Sequence, residues 1–182
     1  MTTSVLSVRE GQASLREAYR NDPQLAWVVD HASVEAVDLQ DPFHGSVRVG
    51  TRSPTQVGVA VHGALGGPHD APCPGDLLCG ALASCQEASL RMVANLYGVQ
   101  LTALKIDVRG GVDVRGTLGM APQVPVAFQW LEVDVFLRAA AHTPAERVPQ
   151  ILKAAERACV VLQTLRAGVP VRVTFDAGLS TG

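Results

Sequence analysis

CPGDLLCGALASCQEASLRMVANLYG, residues 73 to 98, decides how the rest of the chain is read. Between Leu77 and Cys85 nearly every position is apolar or small, so a helix here has no solvent face and must lie in a core or between subunits. Asp76 reads as its N-cap, with a carboxylate able to accept the orphan amide protons of the first turn. Gly98, after Tyr97, reads as the left-handed residue that stops it. Three cysteines recur every six residues, at 73, 79 and 85. Structural zinc sites draw ligands from knuckles such as C-x2-4-C, and five intervening residues do not fit even with His69 as a fourth donor. No metal role is predicted. A Cys79–Cys85 disulfide fails on geometry: six helical residues leave the thiols roughly 120° apart around the axis and about 9 Å apart along it. A bridge tolerates about 6.8 Å between α-carbons. The cysteines are either small buried hydrophobes or include a working thiol.

Working outward, SVRVG at 46 to 50 and QVGVAVH at 56 to 62 alternate as strands and predict a hairpin across TRSPT. After the helix come three strand signals: Leu104, Ile106 and Val108; Val112, Val114 and Leu118; and a longer run from 126 to 138. Gly110-Gly111 reads as a tight turn between the first two. A second helix is expected to open with a capping box, Thr143 to Glu146, to bend at Pro149 and to run as one rod over 150 to 166, closed by Gly168. Its stripe of Leu152, Ala155, Cys159 and Leu162 turns Cys159 toward a core. PVRVTF at 170 to 175 is the expected last strand. Residues 8 to 32 read as a broken helical arm on the surface, stopped at Asp22-Pro23. This order, without a strand-helix-strand rhythm, is α+β with largely antiparallel sheet.

The bulk numbers narrow the function. At 182 residues the chain has room for one well-buried core and little more. No charge-free apolar run reaches the roughly 18 residues of a membrane span. The opening MTTSVLSVREGQASLREAYR has no apolar block of secretory type, so the expected location is the cytoplasm. There four cysteines serve as thiols rather than structural bridges. A net charge of −2, with no basic block, speaks against nucleic acid as a partner. No cofactor is expected.

PGDLLCGALASC at 74 to 85, ERACVVLQTL at 156 to 165 and the element order between them resemble the OsmC/Ohr family of osmotically inducible and organic hydroperoxide resistance proteins, over roughly residues 45 to 176. The resemblance implies an α+β, OsmC-like fold in which mainly antiparallel sheet wraps two central helices of an intertwined homodimer. The OsmC-like domain would occupy 41 to 178, preceded by the helical arm, 1 to 40. By position Cys85 matches the family cysteine that attacks peroxide, and Cys159 the one that resolves the product. The implied function is thiol-dependent reduction of organic hydroperoxides, recycled by an external dithiol. The alternative is a non-catalytic OsmC-like dimer holding a small apolar ligand in its interface pocket.

This chain departs from the family pattern beside the reactive position. Peroxidase members follow the loop proline with a glutamate that holds an arginine over the thiol; here Gly75 follows, then Asp76, and Val160 replaces the proline after the second cysteine. The candidates for stabilising a Cys85 thiolate are therefore Arg48 and Arg52, from the N-terminal strands, and Asp76. A third idea, acyl transfer by Cys85, needs His62 or His69 as a base within about 3 Å.

Overall fold

In the computed structural model, which describes residues 7–36 and 38–178, the deciding stretch forms one helix, α2 (Pro74–Leu96). Pro74 opens it at a position where a missing N–H costs nothing. The N-cap is Cys73 rather than the expected Asp76. Asp76 lies in the first turn and reaches back, its carboxylate accepting the Cys73 amide at 2.8 Å. At the far end Gly98 takes φ 68°, as its position after Tyr97 predicts. Val99 N–H then donates to Ala94 C=O at 2.9 Å and Gly98 N–H to Asn95 C=O at 3.0 Å, which closes the last turn.

The buried stripe of α2 is Leu82, Gln86, Ser89, Leu90, Val93 and Ala94, spaced three and four apart. Its C-terminal half meets Ile151 and Ala155 of α4 (Arg147–Ala158) in a core where Leu90, Ile151 and Ala155 are wholly excluded from solvent. Strands β4 (Leu101–Val112) and β5 (Phe128–Ala139) form an antiparallel hairpin that lays Leu101, Leu104, Ile106 and Leu137 on that core. The second sheet is antiparallel in the order β1 (Ala32–Val34), β2 (His44–Val49), β3 (Thr55–Ala60). Its β2–β3 hairpin is the predicted one. Helix α1 (Val8–Asn21) buries no side chain and is fastened by Val8 N–H to Asn95 Oδ1 at 2.8 Å. The arm's first six residues lie outside the described residues. No described helix is long and apolar enough to cross a membrane.

Several local expectations are corrected. Gly110 and Gly111 do not turn the chain; they lie inside β4, and Val114–Thr117 is a short helix, α3, rather than strand. A Cβ at Gly110 would stand 2.6 Å from the Phe128 ring, and one at Gly111 would collide with the Trp130 indole, so this glycine pair makes room for aromatics across the ladder. The rod over 150 to 166 is interrupted: Cys159, at ψ 100°, separates α4 from α5 (Val160–Ala167). Residues 143 to 146 form turns rather than a capping box, so Pro149 falls in the first turn of α4, where it breaks no hydrogen bond. Residues 170 to 175 pair with no strand among the described residues, and Val171, Val173 and Phe175 are exposed at 80%, 64% and 90%.

Truncating the most enclosed side chain of α2 tests this core. Leu90→Ala should destabilise the fold by about 2–5 kcal/mol, read as a lowered urea midpoint with little change in slope.

Candidate functional site

Two thiols from distant parts of the sequence meet beside the core. Cys85 projects from the flank of α2 and Cys159 from the α4–α5 break, close enough that the Cys85 thiol bears on the ionisation of Cys159. Cys159 is fully buried, and that burial pushes its thiol pKa up. The amides of Leu162 and Val161, at the start of α5, pull the other way, and the neighbouring Cys85 thiol adds to the upward push. No disulfide joins the described cysteines. The arrangement can close a disulfide between two helices after oxidation.

A second constellation lies at the other end of the same helix. A cavity of about 1090 Å³ opens between the first turns of α2, the glycine end of the β4–β5 hairpin, α3 and the loop after β3. Its walls are mainly apolar, with Cys73, Asp76, Cys79 and Arg109 among the lining residues; Cys85 and Cys159 are not. Asp76 accepts the Cys73 amide and lies 3.3 Å from His69 Nε2, and these two bonds hold its carboxyl below the usual range. Burial pushes the Cys79 thiol up, and the Asp76 and Cys73 charges add to the effect. Arg109 is occupied by Glu132 at 3.1 Å and Asp134 at 2.8 Å.

The other candidates belong to other elements. Arg48 is on β2, opposite Ser33 and Gln56 in the first sheet, and Arg52 is in the turn before β3. Asp76 precedes Cys85 by nine residues, about 14 Å along the helix axis. Held by His69, it bears on Cys73 rather than on Cys85. The same spacing removes His62 and His69 as bases for Cys85, because their rings pack together at 4.2 Å beside Asp76. Sequence reasoning missed His69 and Cys73 as partners of Asp76 because it weighed only the even cysteine spacing. The legible signal was H-x3-C-x2-D straddling a helix start.

A family profile described as OsmC-like protein matches residues 67–174, which include both thiols and the Asp76 cluster. This chain belongs to the OsmC-like family. No curated protein matches it in sequence. Among solved structures, the OsmC-like protein from Mycoplasma pneumoniae superposes with a TM-score of 0.59 at 12% identity, covering 78% of this chain and 89% of that one. An organic hydroperoxide resistance protein from Elizabethkingia anophelis gives 0.56 at 16%, covering 78% and 91%. Another, from Legionella pneumophila, gives 0.53 at 18%, covering 77% and 90%. At these identities the likeness establishes the fold, and the α+β architecture with antiparallel sheets agrees with it.

In this OsmC-like chain the loop before α2 is tied to the first sheet by one histidine. His44 Nδ1 lies 2.7 Å from Asp41 and Nε2 lies 3.1 Å from Asp70. Donating to both carboxylates requires the imidazolium, and the Asp41 and Asp70 bonds raise its pKa above the ordinary 6.5. A raised folded value means the stabilisation is complete below about pH 6.5 and is lost as pH climbs through that raised value. An NMR titration should place the His44 ring above 6.5, and Asp41→Asn should bring it down.

Proposed function

We propose that this OsmC-like protein is a thiol-dependent peroxidase that reduces organic hydroperoxides through Cys85 and Cys159. One observation carries the reading: the two cysteines at the family positions, from α2 and the α4–α5 break, are unbridged and lie close enough that Cys85 helps to raise the Cys159 pKa. Cys85 is the partly accessible member and attacks; Cys159, fully buried, resolves. The Cys85 thiolate attacks the distal peroxide oxygen, the O–O bond breaks, and the alcohol leaves with a proton, giving sulfenic acid. Cys159 displaces water from that sulfur and closes the disulfide. An external dithiol takes over the disulfide and restores both thiols.

A second reading, an apolar-ligand-binding dimer without catalysis, is favoured by one feature: the cavity's lining excludes both members of the pair. One experiment separates the two. Adding an organic hydroperoxide to the reduced protein should convert two thiols per chain into a Cys85–Cys159 disulfide, mapped by mass spectrometry, with one alcohol released. Cys85→Ser should abolish peroxide consumption, and Cys159→Ser should leave a sulfenic acid that dimedone traps. Four thiols persisting after treatment would select the binding reading.

The working unit in this proposal is a homodimer. Val171, Val173 and Phe175 alternate along an extended segment with no neighbouring strand, Trp27, Val28 and Val29 are each more than three-quarters exposed, and Gly80 and Ala81 leave part of α2 open. A second copy would cover these surfaces. Sedimentation should give twice the chain mass, and Val173→Asp with Phe175→Asp should shift it toward the monomer.

A further inference from the structure

We propose that His69, Cys73 and Asp76 form a binding site for one zinc-class divalent cation, with its remaining coordination position open to the cavity. The site is independent of the peroxidase reading. Imidazole nitrogen, thiol sulfur and carboxylate oxygen here all lie within 4.8 Å of one another. In a tetrahedral zinc site, with bonds of about 2.0–2.3 Å, neighbouring donor atoms stand roughly 3.3–3.6 Å apart. His69 Nε2 and Asp76 Oδ2 already stand at 3.3 Å. That is long for a charge-assisted hydrogen bond, which settles near 2.7–2.9 Å, and right for two ligands sharing an ion. Closing the sulfur onto them takes a shift on the order of an ångström.

The surroundings hold the donors in place. His69 is the one non-glycine among the described residues with positive φ, 52°, a conformation maintained by its N–H donating to Val61 C=O at 3.2 Å. Its ring packs against His62, whose Nδ1 accepts the Ala64 amide at 3.0 Å. A Cβ at Gly67 would collide with the Val61 carbonyl, so the loop leading to His69 passes where only glycine fits. Asp76 is oriented by the Cys73 amide, an outer contact of the sort that aims metal ligands. Cys73 is only 8% exposed, and with Asp76 it lines the cavity.

Gly75 takes on a role in this setting. A Cβ there would stand 3.5 Å from Cys73 Sγ and 3.3 Å from the Phe128 ring, so any longer side chain would crowd the sulfur and the cavity beside it. A glycine at this position leaves the approach to the sulfur free. One soft and two harder donors suit zinc and its spectroscopic surrogate cobalt rather than calcium or magnesium. The open position would accept a single oxygen, nitrogen or sulfur donor carried on a largely apolar body, as the cavity walls require.

Cobalt(II) titrated into reduced, chelator-treated protein tests this. One equivalent should bind and develop a near-ultraviolet thiolate-to-cobalt charge-transfer band. Cys73→Ser should remove the band, His69→Asn and Asp76→Asn should weaken binding by at least about tenfold, and Cys79→Ser should leave both intact. Circular dichroism of each variant checks folding; His69 and Asp76 are exposed enough to be replaced without disturbing the core. A band that survives in Cys73→Ser, or binding equally tight in wild type, His69→Asn and Asp76→Asn, overturns the proposal. Hydroperoxide oxidation of the Cys85–Cys159 pair is read separately, so either result stands whatever the other shows.

Discussion

The seating of Leu90 against Ile151 and Ala155 fixes how α2 is turned about its own axis, and most of the chemistry follows from that one angle. A helix advances about 100° per residue, so once the stripe from Leu82 to Ala94 faces inward every other side chain has a set direction. Cys85, one residue before buried Gln86, falls on the flank where the α4–α5 junction passes. Cys79, eleven residues before Leu90, returns to within about 20° of the same direction. Lying some three turns nearer the start of the helix, it faces the cavity instead of the core. The even cysteine spacing in the sequence thus becomes two environments, with Cys73 and Cys79 on the cavity and Cys85 beside Cys159.

What could be read beforehand was whatever depends on local rules. The C-terminal end of α2 and the β2–β3 hairpin are set by a glycine and by alternating residues, visible in the chain, whereas the helix start lay at Cys73 rather than at Asp76. The pairing of Cys85 with Cys159 came from resemblance, since nothing in either helix's pattern points to the other. The failures were tertiary. Gly110-Gly111 has the composition of a turn, but its reason for being glycine is Phe128 and Trp130, which arrive from a strand many residues later. PVRVTF has the alternation of a strand, and alternation cannot supply a neighbour to bond with. Thr143 and Glu146 carry a capping signature that yields to a turn entered at Ala140.

The two constellations share a helix without sharing a neighbourhood. One is made of two thiols beside the core; the other is polar, lies at the helix start and opens on a cavity. About 14 Å of helix separates Asp76 from Cys85, enough that a charge change at one end is felt only weakly at the other in a solvated protein. Gly75 belongs to the polar end. Its absent side chain leaves space around Cys73.

The interruption at Cys159 has a mechanical side. A continuous helix would have to move as a rod if its cysteine were drawn toward a partner. Here the residue is already extended, Gln163 Nε2 donates across the gap to the Glu156 carbonyl at 2.8 Å, and Arg166 spans it to Glu156 at 2.7 Å. The joint can flex while two side-chain ties keep its halves in register. Forming or breaking a bond at Cys159 would therefore swing the eight residues of α5 and leave α4 seated on the core.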